Sequence, residues 1–103
     1  MSARFVFAIH NHQPLGNVDW VFEKATRVCY APVVAALERH PGVRVALHFT
    51  GPLLDWLEAH APEVLARTRA LVLRGQVEPL GGGWSEPMLS VLPDRDAIGQ
   101  IAR

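Results

Sequence analysis

The chain has 103 residues, 50 % of them apolar and 19 % charged, with ten basic side chains balanced by ten acidic ones. That is the composition of one small globular domain. It offers no basic surplus for nucleic acid or anionic lipid, and no acidic tail for a basic partner. Cys29 is the only cysteine, which excludes an internal disulfide and a cysteine-based metal site.

Apolar residues run from Phe5 to Ile9, too few for a signal-peptide core or a membrane span. A cytoplasmic location is the default expectation. Residues 4–9 read as a first strand, apolar on both faces as in a parallel sheet covered on both sides. The polar run His10-Asn11-His12-Gln13 follows, and Pro14 and Gly16 stop further strand. Asn17 is placed to cap a helix from about Val18. Val18, Val21, Phe22, Ala25, Val28 and Cys29 recur at helical spacing, so Cys29 is expected to be buried. Glu23 and Arg27 stand four apart, as in a helical ion pair. Pro32 predicts a kink or a second helix with proline in its first turn.

Val43–Phe49 reads as a second strand, and Thr50-Gly51-Pro52 as a helix start. A further helix restarts at Ala61-Pro62-Glu63 and stops at Gly75. Gln76–Leu80 reads as a third strand, followed by the loop Gly81–Pro87 and a helix opened by Pro93, Asp94 and Asp96. The order β-α-β-α-β-α predicts an α/β fold of parallel β/α units. Three parallel strands leave both sheet edges bare, so the expectation is the first part of a larger α/β domain.

In right-handed β/α units the strand C-termini share one rim, where open α/β folds and barrels carry their sites. That rim would hold His10 and His12, His48, Glu78 and the Trp84-Ser85-Glu86 loop. A carboxylate within a short apolar strand is costly to bury unless paired, which marks Glu78. Glu86 reads equally well as a solvated loop carboxylate. Histidine, glutamine, glutamate, asparagine and tryptophan together suit a sugar, whose hydroxyls need paired donors and acceptors and whose ring faces stack on aromatics. His10, His12, His48 and Glu78 would also be an acceptable zinc set, and this stands as the sharp alternative. The Gly81-Gly82-Gly83 run matches no phosphate-loop pattern.

Ile9-His10-Asn11-His12-Gln13-Pro14-Leu15-Gly16 resembles the first motif of glycoside hydrolase family 57. Gly75-Gln76-Val77-Glu78, running into Gly83-Trp84-Ser85-Glu86-Pro87, resembles its second. Val45–Leu54 is similar to the 4-α-glucanotransferase and α-amylase branch. The resemblance covers essentially the whole chain. It implies that residues 1–103 are the first three β/α units of an incomplete (β/α)7 barrel acting on α-glucans or maltooligosaccharides with retention. It places His10, His12 and Glu78 among the substrate-binding residues, with Trp84 near the sugar sites. Gln13 and His48, on the same rim, are expected to bind substrate with them, and no cofactor and no metal are expected. The family's nucleophile glutamate and acid/base aspartate fall beyond Arg103, and neither Glu78 nor Glu86 matches them. The expected partners are the glucan and the remainder of the barrel, with no nucleic acid and no membrane. Pro79 departs from the family's usual aliphatic residue, and it predicts that strand three ends early or bulges. Two other readings stay open: a non-catalytic carbohydrate-binding remnant, and a metal-dependent deacetylase or hydrolase on a related barrel.

Overall fold

A computed structural model describes all residues from Met1 to Arg103. Three strands, β1 (Ala8–Asn11), β2 (Val45–Phe49) and β3 (Val77–Leu80), form one sheet in the order β1-β2-β3, parallel throughout. The helices are α1 (Asp19–Ala25), α2 (Ala31–Arg39), α3 (Gly51–His60), α4 (Pro62–Leu73) and α5 (Asp94–Ala102). The predicted alternation of strands and helices is therefore present. No helix is long and apolar enough to cross a membrane.

Successive strand residues face opposite sides of a sheet. One side carries Val45, Leu47 and Val77, which join Phe22, Tyr30, Val34, Leu37, Leu53, Leu57, Val64 and Leu71 in the core. Leu53 and Leu57 are fully buried. The other side carries Ala8, Ala46 and Glu78 in one row and His10, His48 and Leu80 in the next. Helices cover the first side, and Ala8, His10, Glu78 and Leu80 on the second are exposed. The expectation of a sheet covered on both faces is thus corrected.

Strand one is also shifted. It spans Ala8–Asn11 rather than residues 4–9, and Phe5 and Val6 are 89 % and 84 % exposed. The cause lies in its partner. The Val43 N–H bonds the His40 carbonyl in a turn (3.0 Å), so β2 starts only at Val45, and Phe7 is the first residue to give the ladder an acceptor, to the Ala46 N–H (2.9 Å). His10 and Asn11 therefore belong to the strand, not to the loop after it.

Helices α1 and α2 are joined through a wider π-turn segment, Thr26–Tyr30, in which the Ala31 N–H reaches back to the Thr26 carbonyl. Pro32 has no N–H and sits in the first turn of α2, as predicted. The wide turn shifts the phase of the helix. Phe22, Thr26, Tyr30, Val34 and Leu37 turn inward, whereas Val28 and Cys29 are exposed, against the expectation of a buried cysteine. Glu23 and Arg27 form no ion pair; Glu38 and Arg67 do, bridging α2 and α4 through two hydrogen bonds of 2.9 and 2.6 Å. The Arg67 guanidinium holds the Glu38 carboxyl below its ordinary range.

Pro79 neither shortens nor bulges β3. It pairs in regular register with Leu47, because β3 is an edge strand and its free side needs no proline N–H. Gly75 ends α4 with φ +76°, a conformation that favours glycine, and turns the chain into β3.

Leu57 lies at the centre of the core. Leu57→Ala is expected to cost about 2–5 kcal/mol, read as a lower urea midpoint by circular dichroism. A loss under about 1 kcal/mol would show that α3 is not packed as described.

Candidate functional site

The three strands end on one rim, and the connecting loops are tied together there by buried polar groups. Thr50, almost fully buried, donates its N–H to the Asn11 carbonyl (3.1 Å) and its hydroxyl to the Gln13 carbonyl (3.2 Å). Asn11 donates its side-chain amide to the His48 carbonyl (3.1 Å). Gly51 donates its N–H to the Trp84 carbonyl (2.8 Å), which fixes the loop after β3.

At the open side of this rim four side chains converge. Glu86, from the loop after β3, places Oε1 3.0 Å from His10 Nε2 and 3.6 Å from His48 Nδ1. Its Oε2 lies 2.5 Å from His12 Nδ1. His10 Nδ1 and His48 Nδ1 are 2.8 Å apart, with ring planes 10° from parallel and centroids at 4.8 Å. The two rings thus lie nearly parallel with their Nδ1 atoms in hydrogen-bond range.

One proton position follows from acceptor chemistry. A carboxylate only accepts, so His12 Nδ1 carries a proton and donates to Glu86 Oε2. His10 Nε2 lies within ion-pair distance of Oε1, and His10 and His48 share one hydrogen bond through their Nδ1 atoms, in which either ring can be the donor. His12 in its Nδ1–H form keeps Nε2 as an acceptor directed away from the carboxylate. His12 projects its ring into solvent, while the His48 side chain is only 14 % exposed.

Glu86 has φ +57°, in the left-handed region, and it precedes Pro87, which disfavours helical conformations at the residue before it. Such a backbone costs about 1–3 kcal/mol and persists where the surroundings over-determine it. Here the Glu86 N–H bonds the Gly83 carbonyl (3.0 Å) and the carboxylate is gripped by histidines.

The remaining sequence candidates lie outside this cluster. Gln13 is buried: its amide donates to the Tyr30 hydroxyl (3.0 Å) and its Oε1 accepts from Asn17 (2.8 Å). It braces the loop from within. Burial holds the Tyr30 phenol above its ordinary pKa, against the pull of the Gln13 hydrogen bond, so this tyrosine stays a neutral donor to the His12 carbonyl (3.4 Å). Glu78 shares the sheet face of His10 and His48 but stands one row lower, level with Ala46. It is exposed, so the burial argument that marked it does not apply. Trp84 lies across Gly51, where an added Cβ would fall 1.9 Å from its ring. Its Nε1 donates to Asp55 (3.2 Å), and the Arg103 guanidinium covers the ring at 3.8 Å. Trp84 packs the loop against α3 rather than opening a face to the cluster.

Glu86 is the residue that sequence reasoning left without a role. Its signal was present only as a carboxylate in a loop after a strand, which a solvated side chain matches equally well. The largest cavity, about 460 Å³, lies at the opposite end of the strands, between Phe5–Phe7, Arg44 and Gly75–Pro79. It holds no convergent polar cluster. Near the rim the spaces are smaller, about 120 Å³ beside His12, Thr50 and Ser85, and about 200 Å³ beside His48, Gly82 and Trp84.

A parallel β/α sheet with this polar rim is the arrangement of an α/β enzyme domain. Residues 6–103 match the sequence family described as Glycosyl hydrolase family 57, and the chain belongs to that family. It is 50 % identical over 97 residues to an α-amylase of Pyrococcus furiosus and 47 % identical over 97 residues to a 4-α-glucanotransferase of Thermococcus litoralis. Each alignment covers 94 % of this chain and 15 % of the relative. The crystal structure of the 4-α-glucanotransferase from Thermococcus litoralis superposes with a TM-score of 0.88 at 47 % identity, over 93 % of this chain and 15 % of that one. The chain thus spans a small share of the length of these relatives.

The His12 tautomer gives a direct check. Nitrogen-15 NMR of the histidine rings should show His12 as the Nδ1–H form. In Glu86→Ala the His12 ring loses its acceptor and should return to the mixture of an exposed imidazole. A wild-type His12 already in that mixture would contradict the assigned bonds.

Proposed function

We propose that residues 1–103 are the N-terminal portion of an α-glucan-active retaining glycosidase or 4-α-glucanotransferase, and that they form the first three β/α units of its catalytic barrel. The single observation that carries this is the convergence of His10, His12, His48 and Glu86 on the rim, in a chain half identical to an α-amylase. The Nε2 atom of His12 accepts hydrogen bonds from sugar hydroxyls, and Glu86 holds that ring in the Nδ1–H tautomer; His10 and His48 stand beside it on the same rim. Glu78 faces the same side of the sheet and offers a further acceptor one row down. Gln13 and Trp84 act one layer back, bracing the loops that carry the histidines.

Retaining cleavage uses two carboxylates about 5–5.5 Å apart, one attacking the anomeric carbon and one protonating the leaving oxygen. The rim cluster contains one carboxylate, already shared by imidazoles. The role of this part is therefore to bind and orient the glucan, and nucleophile and acid/base belong to the remainder of the barrel.

Isothermal titration with a maltooligosaccharide should give saturable binding with a dissociation constant of about 1 mM and no release of shorter sugars. His12→Ala should weaken that binding at least about fivefold, by roughly 1 kcal/mol. Absence of saturable heat removes the binding role, and sugar cleavage by the purified chain refutes the assignment of both catalytic groups elsewhere.

A further inference from the structure

We propose that His10, His48 and Glu86 form a binding site for a divalent transition metal of the zinc class, with His12 supporting it from behind. One ligand atom from each of the three lies within 4.8 Å of the other two. Imidazole nitrogen and carboxylate oxygen are the donors that zinc takes, at about 2.0–2.2 Å, which sets neighbouring ligand atoms about 3.3 Å apart in a tetrahedron. The His10 Nδ1 to His48 Nδ1 distance is 2.8 Å and the His48 Nδ1 to Glu86 Oε1 distance is 3.6 Å. Both bracket the tetrahedral spacing, so side-chain rotations of a few tenths of an ångström to about an ångström are enough.

Coordination would replace the proton between His48 and His10. Both imidazoles would then take the Nε2–H tautomer, which frees the two Nδ1 lone pairs for the metal after small ring rotations, and no proton is gained or lost. Glu86 needs no change. Its Oε2 is already held by His12 Nδ1–H, which leaves Oε1 for the metal. A ligating carboxylate hydrogen-bonded from outside is the usual support of a metal ligand.

Three protein ligands leave a fourth position open to water, the pattern of zinc sites that exchange ligands rather than closed structural ones. Access is available, since the His10 side chain is 55 % exposed. This set differs from the zinc alternative read in the sequence: Glu86 takes the place of Glu78, which stands on β3 one row below. The proposal needs no glucan and stands independently of the carbohydrate reading.

The test is titration of the metal-free chain with zinc chloride, followed by calorimetry and by X-ray absorption of the loaded protein. The expected result is one equivalent bound with a dissociation constant of about 10 µM or lower. Glu86→Gln and His48→Asn should each weaken it at least about tenfold, and His12→Phe should weaken it by about tenfold through the outer contact. His60→Ala, which removes a surface histidine, should leave it unchanged. Absorption data should show two imidazole ligands and one or more oxygens. Less than one equivalent bound at about 100 µM zinc overturns the proposal. Equal affinity in Glu86→Gln and His48→Asn does the same. Should those variants fail to fold, a wild-type spectrum with fewer than two imidazoles is sufficient to overturn it.

Discussion

One carboxylate is shared by imidazoles from two strands, and the upper half of the structure depends on it. Glu86 reaches across from the loop after β3 to His10 on β1, to His12 just beyond it and towards His48 on β2. The His12 nitrogen bonded to the carboxylate must donate, so the carboxylate sets the tautomer of that ring. The loop accepts an unfavourable backbone conformation at Glu86 to do so. Below it, Thr50 and Gly51 bind the first and third loops to the end of β2 through their backbone and hydroxyl groups. The polar rim is thus a continuous network resting on an apolar core, with its free acceptors on one side.

The fold was legible in the sequence wherever one pattern decided it. Pro52 and Pro62 at helix starts, and Gly75 at a helix end, stand where the chain indicated. What misled were features set by partners. Phe5–Phe7 has strand composition, but β2 offers it no ladder until Ala46. The face of α1 and α2 was misread at Val28 and Cys29 because a π turn, invisible to a period of 3.6, rotates the later residues. Pro79 looked disruptive until its place on an edge strand was known.

The site was legible in part. His10, His12 and His48 come together as the parallel order requires, because register alone pairs His10 with His48. Gln13 and Trp84 have the chemistry of sugar-binding residues, and in the structure hydrogen bonds inside the protein occupy the Gln13 amide, while Gly51 and Arg103 pack on the Trp84 ring. Glu78 lies in an apolar strand pattern, but the open sheet face does not bury it. Glu86 needed three-dimensional information, since only the turn of the loop brings it over the histidines. Membership of glycosyl hydrolase family 57 fits a rim of donors and acceptors, and the cluster explains how the rim is held in a single arrangement before any ligand arrives.

The most direct test of this account is histidine-ring NMR during titration of the chain with maltotriose. The account predicts saturable changes at the Nε2 resonance of His12, with that ring keeping its tautomer, and loss of those changes in Glu86→Ala. Perturbation confined to the cavity around Phe5–Phe7 and Arg44, or none at either place, would contradict the claim that the Glu86-ordered rim is the sugar-binding surface.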